Sequence, residues 1–146
     1  MDINKDITAA MKSGYRDKLN VLRSLKNALT NKALAQGNID TELSRDQFLE
    51  VVRKQISQRR DSILAFEKGG RSELVKKEQL EIDILSEYLP AAISDSELES
   101  AIDAAIHKIQ ATSKRQIGEV IKLVNASTNG AADPKTIASK VSVKLK

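Results

Sequence analysis

Helix breakers are few in this chain, and most of them are followed by a helix start. Its 146 residues contain two prolines and six glycines. Gly14, Gly37 and Gly69-Gly70 each close an apolar-periodic segment. Three Ser-x-x-Glu/Gln pairs, Ser44/Gln47, Ser94/Glu97 and Ser113/Gln116, have the spacing of a capping box, in which serine and Glu/Gln satisfy each other's free backbone amides. Asp133-Pro134 is another start, with proline where a missing amide costs nothing. The spacing predicts helices over about 3–13, from Leu19 to before Gly37, from Ser44 to Gly69, and from Ser72 to Pro90. Asn38–Leu43 reads as a loop. Three shorter helices follow.

The helix faces are aliphatic, because two Tyr, two Phe and no Trp leave Leu, Ile, Val and Ala to fill a core. Leu19, Leu22, Leu25 and Leu29 form the second stripe, and Phe48, Val52, Ile56, Ile63 and Phe66 the third. Leu74, Ile82, Leu85 and Leu89 form the fourth. Beyond the Ala91-Ala92-Ile93 joint the stripes are Leu98/Ile102/Ala105/Ile106/Ile109, Ile117/Val120/Ile121/Val124 and Ile137/Val141/Leu145. Three short one-sided helices satisfy those stripes only against one another. The expected fold is all-α: an N-terminal long-helix domain of about four helices over residues 1–90, then a three-helix bundle over 91–146.

Chemistry is scarce. No cysteine is present, which excludes disulfides, thiolate metal sites and cysteine nucleophiles. The single histidine, His107, reads as a surface residue without co-ligands. Gly69-Gly70-Arg71-Ser72 lacks the spacing of a phosphate-binding loop, and no Gly-x-Ser-x-Gly elbow exists. Acids on the fourth helix, among them Glu78, Glu81, Asp83 and Glu87, read as a solvated face. No catalytic residue, cofactor or metal is expected. The first six residues contain no apolar signal core and are too acidic for a transit peptide, and no apolar run reaches the roughly 20 residues of a membrane span. The expected compartment is the cytoplasm.

Cations are more informative. From Ala104 onward eight basic residues face only Glu119 and Asp133. Arg53 and Arg60, seven apart on the third helix, share a stripe able to bridge phosphates. Arg59 differs: it falls on the apolar seam beside Ile56 and Ile63, where a guanidinium needs a partner, and Glu78 or Glu81 is expected to supply it. Gly118, in the first turn of its helix, costs about 1 kcal/mol relative to alanine. It suggests close approach of another backbone, either a neighbouring helix or a ribose-phosphate. The turn from Asn129 and Gly130 to Lys135 presents a helix N-terminus, around which Lys114, Lys122 and Lys135 can gather to hold a phosphate; a plain capped turn is the commoner reading, and Arg115 is a further candidate contact.

Arg53-Lys54-Gln55 through Arg59-Arg60-Asp61-Ser62-Ile63, then Phe66, Gly70-Arg71, Leu74, Glu78, Glu81 and Tyr88-Leu89-Pro90, resemble the core of the YqeY family. Ile117-Gly118-Glu119-Val120-Ile121-Lys122 and Gly130-Ala131-Ala132-Asp133-Pro134-Lys135 resemble a second signature. The family shares that signature with the tail of the GatB subunit of the tRNA-dependent amidotransferase. The resemblance implies a tRNA-contacting appendage remote from chemistry. A label of carbon–nitrogen ligase activity with glutamine as amido-N-donor would be inherited from the larger complex. Ala131 stands where the pattern has lysine, and Ile121 where it has methionine, so Lys122 and Lys135 are left as the contacting cations. The expected function is non-catalytic binding of tRNA or another structured RNA. The alternative is an adaptor for a translation-related protein. No membrane partner is expected.

Overall fold

The computed structural model describes residues 3–37 and 43–145, so all but Leu43 of the loop read over Asn38–Leu43 lies outside the described residues. The described residues form seven α-helices and one 3₁₀ turn, with no strand. They are α1 (Ile3–Ser13), α2 (Arg16–Ala35), α3 (Arg45–Lys68), α4 (Ser72–Ser86), α5 (Asp95–Ile109), the turn Lys114–Gln116, α6 (Ile117–Ser127) and α7 (Pro134–Lys144). The fold class is all-α. Contacts divide the chain into two units, Met1–Leu89 and Pro90–Lys146.

Local signals set the boundaries. Ser44 Oγ accepts from Gln47 N at 3.2 Å and Gln47 Oε1 accepts from Ser44 N at 3.0 Å, closing a full capping box on α3. Gly70 takes φ +68°, the left-handed geometry that ends α3 without a Cβ penalty. The Ser113/Gln116 box also closes, on the 3₁₀ turn leading into α6. At Ser94 only half a box forms: Ser94 Oγ accepts from Glu97 N at 3.2 Å, and the Glu97 carboxylate makes no return bond. Helix α4 stops at Ser86, earlier than Pro90 requires, and Glu87–Leu89 continue as turns.

In the first unit α3 and α4 pack as a long hairpin, and α2, with α1 against it, covers the α3–α4 pair. Val21, Leu22, Leu25, Val52, Ile56, Ile82 and Leu85 form the centre. Leu49, Val51 and Ile84 are buried as well, although they lie off the stripes of the heptad-like spacing. A helix contacted from two sides buries a wider arc than one stripe. Tyr88 anchors α1 at the far end: its Oη donates to Asp6 Oδ2 at 2.5 Å, and its ring meets Phe48 edge-on at 6.0 Å. Burial, and then the Asp6 carboxylate, push the Tyr88 phenol well above its ordinary pKa.

In the second unit α5, α6 and α7 surround Leu98, Ile102, Val120, Val124, Ile137 and Val141. Helix α7 is also held to α5 by charge. Lys140 Nζ lies 3.3 Å from Glu99, and Lys144 Nζ lies 2.8 Å from Glu99 and 2.6 Å from Asp103. Hydrogen bonds from Lys144 and then Lys140 lower the Glu99 pKa.

Candidate functional site

Helix α6 begins at a 3₁₀ turn that leaves Lys114 and Arg115 exposed. Gly118 and Lys122 follow one and two helical turns later on one side. Both are exposed, as is Lys135 in the first turn of α7. Among the described residues, none of Lys114, Arg115, Lys122 or Lys135 has an ion-pair partner, whereas Lys140 and Lys144 are engaged by the α5 carboxylates. The cation excess of the tail is therefore smaller than its composition suggests; the exposed cations without an ion-pair partner among the described residues are Lys108 on α5, Lys114 and Arg115 before α6, Lys122 on α6 and Lys135 at the start of α7. Glu119, also exposed, interrupts this face.

Gly118 does not serve a neighbouring helix. Among the described residues no heavy atom lies within 4 Å of the place a Cβ would occupy, so the helix-packing reading is corrected: no described neighbour needs the missing side chain. On fold grounds alone, Gly118→Ala is expected to raise stability by roughly 0.5–1 kcal/mol, measurable by urea unfolding. A loss of stability would show that something does pack there.

The turn before α7 is already capped. Asp133 Oδ1 accepts from Lys135 N at 3.0 Å, the cap read from the sequence, and places a carboxylate at the positive end of the helix. Gly130 is buried at φ +76°, and its amide donates to Asn125 O at 3.0 Å. It shapes the turn and presents no contact surface. Ala131 is half-buried. Of the second-unit candidates, Lys114, Arg115, Gly118, Lys122 and Lys135 are on the surface.

In the first unit Arg60 is exposed and Arg53 half-buried on α3. Arg59 Nη1 lies 3.5 Å from Glu81 Oε2, with only 18% and 15% of the two side chains exposed. Glu78 lies one turn before Glu81 on α4. Its Oε2 and Arg59 Nε are buried without a hydrogen-bond partner. Burial raises the Glu81 pKa, Arg59 opposes that rise, and Glu78 adds to it. His107 is exposed on α5. Among the described residues no three His, Asp or Glu side chains are arranged to hold a metal ion, and no helix is long and apolar enough to cross a membrane.

Residues 1–145 match the family model described as Yqey-like protein. Among curated proteins the chain is similar to three named "Altered inheritance of mitochondria protein 41, mitochondrial". The one from Eremothecium gossypii is 33% identical over 112 residues, covering 75% of this chain and 60% of the relative. The one from Saccharomyces cerevisiae strain YJM789 is 36% identical over 115 residues, covering 78% and 60%. The one from Pyrenophora tritici-repentis is 27% identical over 143 residues, covering 95% and 76%. The chain thus spans about 60% of the length of two of these relatives. The relatives' names overturn the cytoplasmic expectation, because all three are named as mitochondrial proteins. The acidic first six residues were no guide to compartment. Together, the match over residues 1–145 and these identities place the chain in the YqeY-like family.

Proposed function

We propose that this chain works by binding, without catalysis of its own, and that its ligand is tRNA or another structured RNA. The face made by Lys114, Arg115, Gly118, Lys122 and Lys135 supplies the phosphate contacts. One observation supports this reading above the rest: an exposed glycine with open space over it, set among cations that have no ion-pair partner among the described residues. A glycine that costs the helix stability and meets no described neighbour at its Cβ position leaves room for a ribose-phosphate backbone to approach closely. The cations then neutralise phosphates through shape-directed contacts. Base stacking has little part, since aromatics make up only 3% of the chain.

An adaptor role is the competing reading. It would rest on exposed apolar surface, and the two most exposed large apolar residues, Leu64 and Val143, lie in different units. The face on α6 is the more coherent feature.

Anisotropy titration of the whole chain against tRNA over a salt series tests the proposal. Affinity falls steeply with salt, and Lys122→Glu/Lys135→Glu weakens binding at least tenfold. The same variant lowers the slope of log K against log salt by about 2, roughly one per lost phosphate contact. Binding that is flat at low salt, or unchanged in the double variant, would refute it.

A further inference from the structure

The second unit carries a groove that the RNA reading does not use. It is open, about 690 Å³ in volume, and lined along α5 by Glu97, Ser100, Ala101, Ala104, Ala105 and Lys108. Ile93 and Leu123 form its apolar flanks. Glu97, Ser100, Ala104 and Lys108 recur at three- and four-residue steps and form one exposed strip about 16 Å long, while Ala105 is buried in the unit's own core. Asp103 and Glu99 point their charge elsewhere, to Lys140 and Lys144 of α7.

The charges at the two ends of this face are left over. Glu97 does not complete the Ser94 capping box, and three and four residues onward it meets only Ser100 and Ala101. Lys108 has only Ala105 and Ala104 behind it. Neither has an intrahelical partner at the spacing where charged side chains meet. Among the described residues neither has an ion-pair partner elsewhere. Both are exposed, one at each end of a face whose middle is serine and alanine.

Such a face is complementary to itself when run backwards. If a second α5 lies antiparallel across the first, Glu97 of each copy meets Lys108 of the other. Ala104 of each copy then faces the half-buried Ala101 of the other, around a two-fold axis between Ala101 and Ala104, with Ser100 at the flank. The positions follow from the helical period; the chemistry at them makes the pairing favourable, with opposite charges at the rim and small side chains at the centre. A parallel arrangement would place Glu97 against Glu97. An antiparallel pair also opposes the two helix dipoles, and the small central residues let the backbones approach closely while Ile93 and Leu123 close over the sides.

We propose that the groove is the interface of an isologous homodimer, with the α5 helices antiparallel and Glu97 paired to Lys108 of the second copy. One helix face per copy buries less than the roughly 1,200 Å² of a standard stable interface. The dimer is therefore weak and concentration-dependent.

Sedimentation velocity on the full chain, free of nucleic acid and from about 10 µM to 1 mM, reads this without reference to the RNA proposal. The wild type moves from monomer toward dimer across that range. Lys108→Glu sets like charges against each other twice and weakens association at least tenfold, while Glu97→Lys/Lys108→Glu returns it to within about threefold of wild type. Both positions are exposed, and circular dichroism checks that each variant keeps its helices. A wild type that stays monomeric at every concentration would overturn the proposal. So would a Lys108→Glu variant that still dimerises like wild type, or a double reversal that fails to restore association.

Discussion

Arg59→Met is expected to cost the first unit about 2–3 kcal/mol at pH 7, and less as the pH falls. Arg59 and Glu81 are each more than four-fifths covered, and removing one member of a covered pair leaves the other charge uncompensated. The cost stays below that of a fully buried pair because some solvent reaches both groups. The pH dependence follows from Glu81. Burial already raises its pKa in the fold, and Arg59 is the main group lowering it. A carboxyl whose folded pKa is raised stabilises the fold when protonated, and that contribution is lost as pH climbs from its unfolded value of about 4.5 through the folded one. Without Arg59 the folded pKa rises further, so the penalty is largest when the carboxyl must ionise. Thermal melts of wild type and variant should differ by about 10 °C or more at pH 7 and converge toward pH 4.5. An equal melting temperature at pH 7 would mean that the guanidinium is not held by Glu81.

Ile102→Ala is expected to have a larger consequence, the unfolding of the second unit. Ile102 is fully buried at the centre of the α5–α6–α7 core, and deleting such a side chain costs about 2–5 kcal/mol. A bundle of this size has roughly 3–5 kcal/mol in hand. The helical signal from Pro90–Lys146 should therefore fall substantially at 25 °C while the first unit keeps its own transition. Proteolysis provides the second readout, with cleavage concentrated beyond Leu89. A single transition that shifts as a whole would show that the two units do not unfold separately.

What could be read from the residues was mostly local. The caps at Ser44 and Ser113 and the stop at Gly70 are visible because their partners lie within four residues, and the three short stripes of the second unit were legible for the same reason. What depended on packing was not. Leu49, Val51 and Ile84 are buried because α3 and α4 are covered from two sides, which leaves no single-stripe periodicity in the sequence. Glu78 and Glu81 lie three apart on one helix face, so their spacing could not say which of them reaches Arg59. The cap at Asp133, by contrast, was legible in the same way as those at Ser44 and Ser113, since its partner amide is two residues on. Lys140 and Lys144 looked like part of the basic end until Glu99 and Asp103, 41 residues away along the chain for the closest contacts, were placed beside them. The open space over Gly118 left no trace in the sequence beyond the glycine itself.

In the proposed mode, RNA lies across the start of α6. An NMR titration of isotopically labelled full-length protein with tRNA tests it directly, because the Gly118 amide falls in the resolved glycine region of the spectrum. Arg115, Gly118, Lys122 and Lys135 are expected to show the largest changes, growing with tRNA and reversing with added salt. Changes confined to α3 around Arg53 and Arg60, or a Gly118 resonance that does not move at saturating tRNA, would contradict it.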